Sequence, residues 1–253
     1  MSKPFSVKLS ARGLIRLDGA DAIPFLQGLV SNDVSKADAN TIVYACLLTP
    51  QGKFLHDFFI HRTPDGLLLD CEGGDRARDL YDRLTKFRLR AKVSLSVEDN
   101  ADIYAVVGTE HGLPDPRHPA LGYRSFEKPA VEEGSFADWD ALRISLLVPD
   151  GSRDMELEKS TLLECGIEKL NGIDWKKGCY MGQELTARMH YRGLAKKHLC
   201  LVDIDGAAPP PFSDLQNGGQ MRSSCGAVGL ALLKDDGLFS TDYAPVKPRK
   251  TDL

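Results

Sequence analysis

The sequence predicts an α+β protein with an all-β part at its C-terminal end. Patterns typical of helices and of strands alternate along the chain as far as Gly193. Beyond Gly193 only strand patterns remain, separated by turns rich in proline and glycine. Hydrophobic residues form 42% of the 253 residues, enough for a sizeable core. We therefore expect two domains, an α+β region at residues 1–192 and a small antiparallel β-barrel at residues 193–253.

The first half of the chain supplies strands and helices in alternation. Asp21 can cap a helix with an apolar face, and Asp75 can cap another whose leucines recur at helical spacing. Apolar, β-branched and aromatic runs on either side of a Pro-Gln-Gly turn indicate a hairpin. These patterns predict strands at residues 14–18, 41–48 and 54–60, and helices at residues 21–30 and from residue 75.

A regular alternation follows, in which apolar residues from Phe87 to Leu95 are interleaved with Arg88, Arg90 and Lys92. The period of two predicts a strand with one cationic face. That face is either solvated or a basic wall beside an anionic ligand. Residues 115–128, rich in proline, glycine and arginine, are expected to form a surface loop.

The rest of the chain completes the predicted order. Thr161 and Glu164 have the spacing of a capping box at a helix start. A short basic helix should end at Gly193, since glycine favours helix C-termini. The remaining predicted strands are at residues 142–148, 197–204, 227–233 and 242–246.

Charge and cysteine usage narrow the class of protein. The chain has 32 basic and 36 acidic residues, a net charge of −4, which argues against a protein that coats nucleic acid. No apolar run approaches the roughly 18 residues of a membrane span. The six cysteines are scattered, without C-x-x-C spacing or a secretory signal, so we expect a cytoplasmic protein. The basic, acid-free residues 1–17 resemble a transit peptide only weakly.

The segment from Lys176 to Lys197 holds the densest chemical signal. It carries six cations and a single acid, Glu184, so its net charge is 6 − 1 = +5. Cys179 follows two lysines and precedes a predicted helix start, and both features favour the reactive thiolate. The alternative is that Cys179 is a buried packing residue, as we expect of the other five cysteines. A basic patch of this size could also meet an RNA backbone, although few aromatic side chains lie near it.

At Lys177-Gly-Cys-Tyr-Met-Gly-Gln-Glu184 the sequence resembles the YgfZ family, folate-binding proteins of iron–sulfur cluster maintenance with mitochondrial relatives in eukaryotes. Weaker matches span nearly the whole chain, among them Ser31-Asn-Asp-Val34, Leu84-Thr-Lys-Phe-Arg-Leu-Arg90 and Asp115-Pro-Arg117. The resemblance implies the glycine-cleavage T protein fold, with α+β subdomains around a central folate channel. It also implies tetrahydrofolate as cofactor.

The resemblance further implies roles for individual residues. Trp139 would stack on the pterin ring, and the cationic segment would hold the anionic tail of folate. The alternative is that Trp139 is a buried core anchor, that is, a side chain packed in the hydrophobic core. The residues implied in folate binding or in shaping the motif are Trp139, Lys177, Gln183, Glu184, Arg188 and Arg192. The family's aminomethyltransferase relatives carry paired aspartates, of which only Asp57 is present here, with His56 replacing its neighbour.

Three functional hypotheses follow. The first is a monomeric, tetrahydrofolate-binding protein that supports iron–sulfur cluster assembly or repair, and indirectly tRNA modification by iron–sulfur enzymes, with Cys179 as its thiolate. It would work with folate and with client enzymes or assembly proteins, and needs neither a metal, nucleic acid nor a membrane. The second is a folate-dependent one-carbon (aminomethyl) transferase with Asp57 as acid–base residue. The third, a cysteine hydrolase, lacks a convincing base near Cys179.

Overall fold

The computed structural model describes residues 3–98, 102–234, 238 and 242–250. The chain forms two compact units, each assembled from three segments. The first unit comprises residues 1–48, 55–136 and 171–181, and the second comprises residues 49–54, 137–170 and 182–253. The predicted division is a single cut after residue 192, and that division stays a prediction.

The first unit contains ten strands and two helices among the described residues. The strands are β1 Phe5–Lys8, β2 Arg12–Asp18, β3 Val43–Leu48, β4 Phe54–Arg62, β5 Gly66–Glu72, β6 Ser94–Glu98, β7 Tyr104–Val107, β8 Leu113–Pro114, β9 Tyr123–Ser125 and β10 Glu132–Glu133. The helices are α1 Ala22–Gln27 and α2 Asp75–Arg88. Short 3-10 turns lie at Val34–Lys36 and Pro119–Leu121.

Two five-stranded sheets organise these elements. One has the order β3-β4-β5-β2-β6, and the other has the order β10-β1-β7-β9-β8. In the second sheet β1 pairs with β10 in parallel, and its other pairs are antiparallel.

The register of the first sheet explains its two different faces. Ile15 lies opposite Leu69, which in turn lies opposite Ile60, so these three share the face that forms the apolar core with α1 and α2. Leu14 and Phe59 both lie opposite Asp70 and therefore share the other face. That other face carries buried polar side chains, described below.

Among its described residues, the second unit contains two helices and a four-stranded antiparallel sheet. The helices are α3 Phe136–Ser145 and α4 Gln183–Arg192, and the strands are β11 Lys197–Ile204, β12 Gln220–Cys225, β13 Val228–Lys234 and β14 Val246–Pro248. Further 3-10 turns lie at Gly151–Arg153 and Gln216–Gly218. The sheet order is β12-β13-β11-β14, and Ile144 of α3 packs against Leu199 and Leu201 on one face of it.

Three predicted elements are wrong. Residues 87–95 do not form one strand, because α2 continues to Arg88 and β6 begins only at Ser94. Residues 142–148 belong mostly to α3, whose buried Trp139, Arg143 and Ile144 follow a helical spacing rather than an alternation. Residues 115–128 are not a surface loop throughout, since β9 lies within them and Asp115, Arg117 and Arg124 are buried.

The other predicted elements are present with shifts at their ends, except that the strand predicted at residues 242–246 shares only Val246 with β14. The helix predicted at residues 21–30 is shorter, and the basic helix ends at Gly193 as expected, with Gly193 at a φ of 59°. Thr161 donates a hydrogen bond to Glu164 at 2.8 Å, although this segment is a series of turns and not a regular helix. The sequence patterns do not predict seven of the strands, namely β1, β5, β7, β8, β9, β10 and β12. Among the described residues, no helix has the length and apolar character needed to cross a membrane.

Candidate functional site

Lys177 anchors the loop that carries the cysteine motif. Its ammonium donates to three backbone carbonyls, those of Gln27 at 2.8 Å, Val30 at 2.5 Å and Asn32 at 2.7 Å. An ammonium group has three N–H donors, so all three are used on one turn of the chain. Burial lowers the pKa of Lys177 to about 8. The sequence placed this charge beside the thiol, whereas the structure directs it inward as an anchor.

Asp174 provides a second anchor on the same loop. One carboxylate oxygen accepts hydrogen bonds from the backbone N–H groups of Lys176 at 2.6 Å and Lys177 at 3.0 Å. The other oxygen forms an ion pair with Lys36 at 2.6 Å. The pKa of Asp174 is lowered because these hydrogen bonds and the lysine charge outweigh the effect of burial. The loop is therefore held rigidly just before the motif cysteine.

Backbone and hydroxyl contacts hold the loop at both of its ends. Ser31 donates to the carbonyl of Gly172 at 2.6 Å, and the side chain of Asn32 donates to the carbonyl of Asn171 at 2.7 Å. At the far end, the N–H of Met181 donates to the carbonyl of Gly28 at 3.1 Å. The segment from 171 to 181 is thus fixed on both sides of Cys179.

Cys179 lies exposed at the tip of this fixed loop. The exposed residues Gly178 and Cys179 are flanked by the buried residues Lys177 and Tyr180. The Lys177 ammonium lies 5.1 Å from the centre of the Tyr180 ring. Two buried anchors therefore present one solvent-accessible thiol.

The other five cysteines have different surroundings. All six lie within the described residues; Cys46, Cys71, Cys165 and Cys200 are buried, and Cys225 is partly exposed. Burial raises the pKa of both Cys71 and Cys165 to about 12, which suppresses their thiolates. Of the six cysteines, Cys179 alone is exposed rather than buried or partly exposed.

Asp57 lies in the buried polar layer on the second face of the first sheet. It is 2% exposed, and its carboxylate accepts a hydrogen bond from the hydroxyl of Tyr44 at 2.9 Å. Burial and the Asp57 charge raise the pKa of Tyr44 well above its usual value. The guanidinium of Arg117 lies 5.6 Å from the centre of the Tyr44 ring. Asn32 links this layer to the cysteine loop, because its side chain also donates to the carbonyl of Tyr44 at 2.8 Å.

Three arginines and two aspartates surround Phe59 in the same layer. Arg124 lies 3.8 Å, Arg117 4.7 Å and Arg12 5.3 Å from the ring centre. Asp70 pairs with Arg12 at 2.7 Å and with Arg124, and Asp115 pairs with Arg117 at 2.8 Å. Arginine charges hold the pKa of both aspartates below the usual value despite burial. These ionic contacts tie β2, β5 and β9 together within the layer.

The remaining predicted site residues belong to the second unit. Trp139 in α3 is 4% exposed, so it has the burial of a core anchor. On α4, Glu184, Arg188 and Arg192 are exposed along one face, Gln183 is partly exposed, and Thr186 and Met189 are buried on the opposite face.

The structure therefore brings Lys177, Cys179 and Asp57 into one compact unit, while the other predicted residues lie in the second unit. Sequence reasoning missed Asn32, Tyr44 and Arg117 as parts of the site. Two of them could have been found from the sequence, since Asn32 lies in the Ser31-Asn-Asp-Val34 match and Arg117 in the Asp-Pro-Arg match. Tyr44 could not have been found in this way, because its contact with Asp57 depends on how β3 and β4 pair.

Among the described residues, neither a histidine base for Cys179 nor a cluster of metal ligands is evident. His190, the histidine nearest in sequence to Cys179, pairs with Glu168 at 2.8 Å in the second unit. Within the described part of the chain, no group of three or more histidine, cysteine, aspartate or glutamate side chains could hold a metal ion.

Known proteins were compared with the chain by sequence and by structure. It is 35% identical over 275 residues to the mitochondrial iron-sulfur cluster assembly factor IBA57 homolog of Mycosarcoma maydis, covering 96% of this chain and 68% of that protein. It is 32% identical over 274 residues to the mitochondrial factor IBA57 of Homo sapiens, covering 89% of this chain and 76% of that protein. No protein-family model matches the chain.

The fold is that of glycine-cleavage aminomethyltransferases. The aminomethyltransferase T of the glycine cleavage system from Bartonella henselae superposes with a TM-score of 0.68 at 13% identity, covering 94% of this chain and 80% of that one. The α+β fold class expected from the sequence is therefore confirmed. The expected cytoplasmic location is wrong, because the relatives are mitochondrial proteins and scattered free cysteines indicate only a reducing setting. At these identities and coverages, the chain belongs to the IBA57 family of iron–sulfur cluster assembly factors.

Proposed function

We propose that this protein supports the assembly or repair of iron–sulfur clusters, and thereby the iron–sulfur enzymes that modify tRNA, with Cys179 as its working thiolate. One observation carries the proposal: Cys179 is exposed at the tip of a loop whose flanks are buried and hydrogen-bonded. A thiolate is the form of cysteine that binds iron or exchanges sulfur ligands. Membership of the IBA57 family supports iron–sulfur clusters as the cargo.

The fixed loop explains how one cysteine could serve this role. A ligand-transfer thiol must reach a partner protein and then release its cargo, so it must be exposed and held in a constant position. The three carbonyl contacts of Lys177 and the two N–H contacts of Asp174 supply that constancy. The partners we propose are iron–sulfur assembly proteins or client enzymes, and the protein would act as a monomer.

Tetrahydrofolate is the cofactor we propose, and the polar layer fits it chemically. The Asp57 carboxylate can accept N–H bonds from a pteridine. Nε2 of His61, a buried side chain of the same strand, has no hydrogen-bond partner among the described residues. In the second unit, taken by itself, Arg188 and Arg192 are exposed and carry charges that suit carboxylates. Trp139 is the least favourable proposed contact because its ring is covered. Bound folate would supply a one-carbon carrier, while Asp57 would orient the ring.

The role of Cys179 is tested in cells that lack this protein. Cells expressing Cys179→Ala should keep the low iron–sulfur enzyme activity of the deletion strain, whereas the matched control Cys225→Ala should restore it. Cys225 is a suitable control because it is also a partly accessible free thiol. Full restoration by Cys179→Ala would remove the thiol from the proposal.

Folate binding is tested separately by tryptophan fluorescence. The chain has two tryptophans, Trp139 and Trp175, so Trp139→Phe and Trp175→Phe assign any change that tetrahydrofolate causes. We expect a saturable signal. The affinity for tetrahydrofolate should fall at least about tenfold in Asp57→Asn, since a charged hydrogen bond contributes about 1.5–3 kcal/mol. If tetrahydrofolate changes the fluorescence of neither tryptophan and does not bind by calorimetry, the folate part is wrong.

A further inference from the structure

The turn that follows α2 carries a concentrated positive charge. We call residues 86–92 the basic turn; Lys86, Arg88, Arg90 and Lys92 are all exposed there. No acidic residue occurs between Asp82 and Glu98 in the sequence. Within the described residues, none of these four side chains forms an ion pair. Their charge is therefore available to a partner outside the chain.

Leu89 occupies a backbone conformation that costs free energy. It ends α2 with φ 44° and ψ −107°, a position where glycine is the usual residue because a side chain is strained there. Strain of this kind persists when something else compensates for it, and such positions cluster at functional sites. In most proteins a leucine would compensate by packing into the core.

Leu89 does not pack into the core. Its side chain is 88% exposed, and the neighbouring Phe87 is 42% exposed. Two large apolar side chains therefore protrude from the surface among four unpaired cations. The folded chain gains little from the Leu89 side chain, which together with Phe87 leaves an apolar surface available to a contact outside the molecule.

We propose that the basic turn binds the surface of an anionic lipid bilayer, with Leu89 and Phe87 inserted among the acyl chains. The charge is of one sign throughout, which suits a surface of lipid phosphates. A protruding leucine needs a partner that encloses it, and a bilayer does so without a preformed pocket. A single phenylalanine offers too little stacking surface to favour RNA. The attachment is peripheral and independent of Cys179.

The expected strength follows from the parts of the turn. Each cation near an anionic bilayer strengthens binding about fivefold, and burial of a leucine strengthens it by about tenfold or more. Four cations and one protruding leucine thus give weak, reversible attachment that salt diminishes. Binding to a neutral bilayer should have only the small apolar contribution of the leucine.

Co-sedimentation of the full chain with vesicles tests the proposal. Vesicles of phosphatidylcholine mixed with phosphatidylglycerol should bind the protein, and vesicles of phosphatidylcholine alone should not. Leu89→Gly should weaken binding about tenfold or more while relaxing the backbone, so loss of fold cannot explain the result. Arg88→Glu with Arg90→Glu should abolish binding.

The matched control is Lys169→Glu with Lys247→Glu, an equal change of charge at exposed sites in the second unit. This variant should bind as the unaltered protein does. The proposal is overturned if the unaltered protein binds neither vesicle, or binds both equally. It is also overturned if Leu89→Gly binds anionic vesicles as well as the unaltered protein, or if Leu89 instead proves necessary for binding an acidic protein or RNA.

Discussion

Lys176 and Lys177 are neighbours in the sequence with different structural roles. Lys177 donates to three carbonyls inside the fold, whereas Lys176 is exposed. Lys177→Met keeps the aliphatic stem but leaves three buried carbonyls without their donor. We expect it to lower the free energy of unfolding by about 2–4 kcal/mol, measured by urea denaturation. Lys176→Met should change it by less than about 0.5 kcal/mol. Equal effects would show that the three contacts do not anchor the loop.

The cysteines should differ strongly in reactivity. At pH 8, iodoacetamide should modify Cys179 more than about a hundredfold faster than Cys71 or Cys165, whose burial and raised pKa suppress the thiolate. Mass spectrometry of peptides from timed samples measures each site. In urea the difference between sites should largely disappear. Rapid native modification of Cys71 or Cys165 would contradict the described burial.

At the end of α2, the strand predicted from the sequence differs from the observed structure, and the difference is informative. The alternation from Phe87 to Leu95 has a true period of two, yet Phe87 still belongs to the helix that buries Leu80 and Leu84. The alternation is no sign of a sheet face because Phe87 and Leu89 are both exposed. Local periodicity cannot distinguish a strand from apolar side chains kept at the surface for another reason.

This reading of the helix end predicts a stabilising substitution. Leu89→Gly removes a strained side chain that is not packed, so we expect the free energy of unfolding to rise by about 1 kcal/mol. Phe87→Gly, inside the last helical turn, should instead lower it by about 1 kcal/mol. Thermal and urea unfolding compare the two. Destabilisation by Leu89→Gly would mean that the leucine packs usefully in the folded chain.

At the scale of the whole molecule, the fold class and the cysteine motif were predictable, and the buried polar layer was not. The motif is local, so Lys177 and Cys179 could be recognised from eight consecutive residues. The layer depends on contacts such as Arg12 with Asp70, which are 58 residues apart and involve β5, a strand that the sequence pattern did not reveal. Only the register of the sheet places Asp70 beside Phe59.

Two buried histidines should make the stability of the whole molecule depend on pH. Burial lowers the pKa of His56 and of His61 to about 4, against 6.5 when unfolded. Between these values the unfolded chain binds more protons, so stability falls as pH falls from about 6.5 to 4. We expect a loss of about 2 kcal/mol per histidine between pH 7 and pH 5. Urea denaturation at both pH values should show that His56→Gln and His61→Gln each remove part of this slope. An unchanged slope in the double variant would refute this assignment.

The most direct test of the central claim is a cluster-loading assay with purified proteins. An iron–sulfur enzyme stripped of its cluster is incubated without oxygen with iron, a sulfide source and this protein, and recovery of its activity is followed. The account predicts faster recovery with the unaltered protein and with Cys225→Ala, and no acceleration with Cys179→Ala. Acceleration by Cys179→Ala equal to that of the unaltered protein would contradict the claim that this exposed thiol does the work.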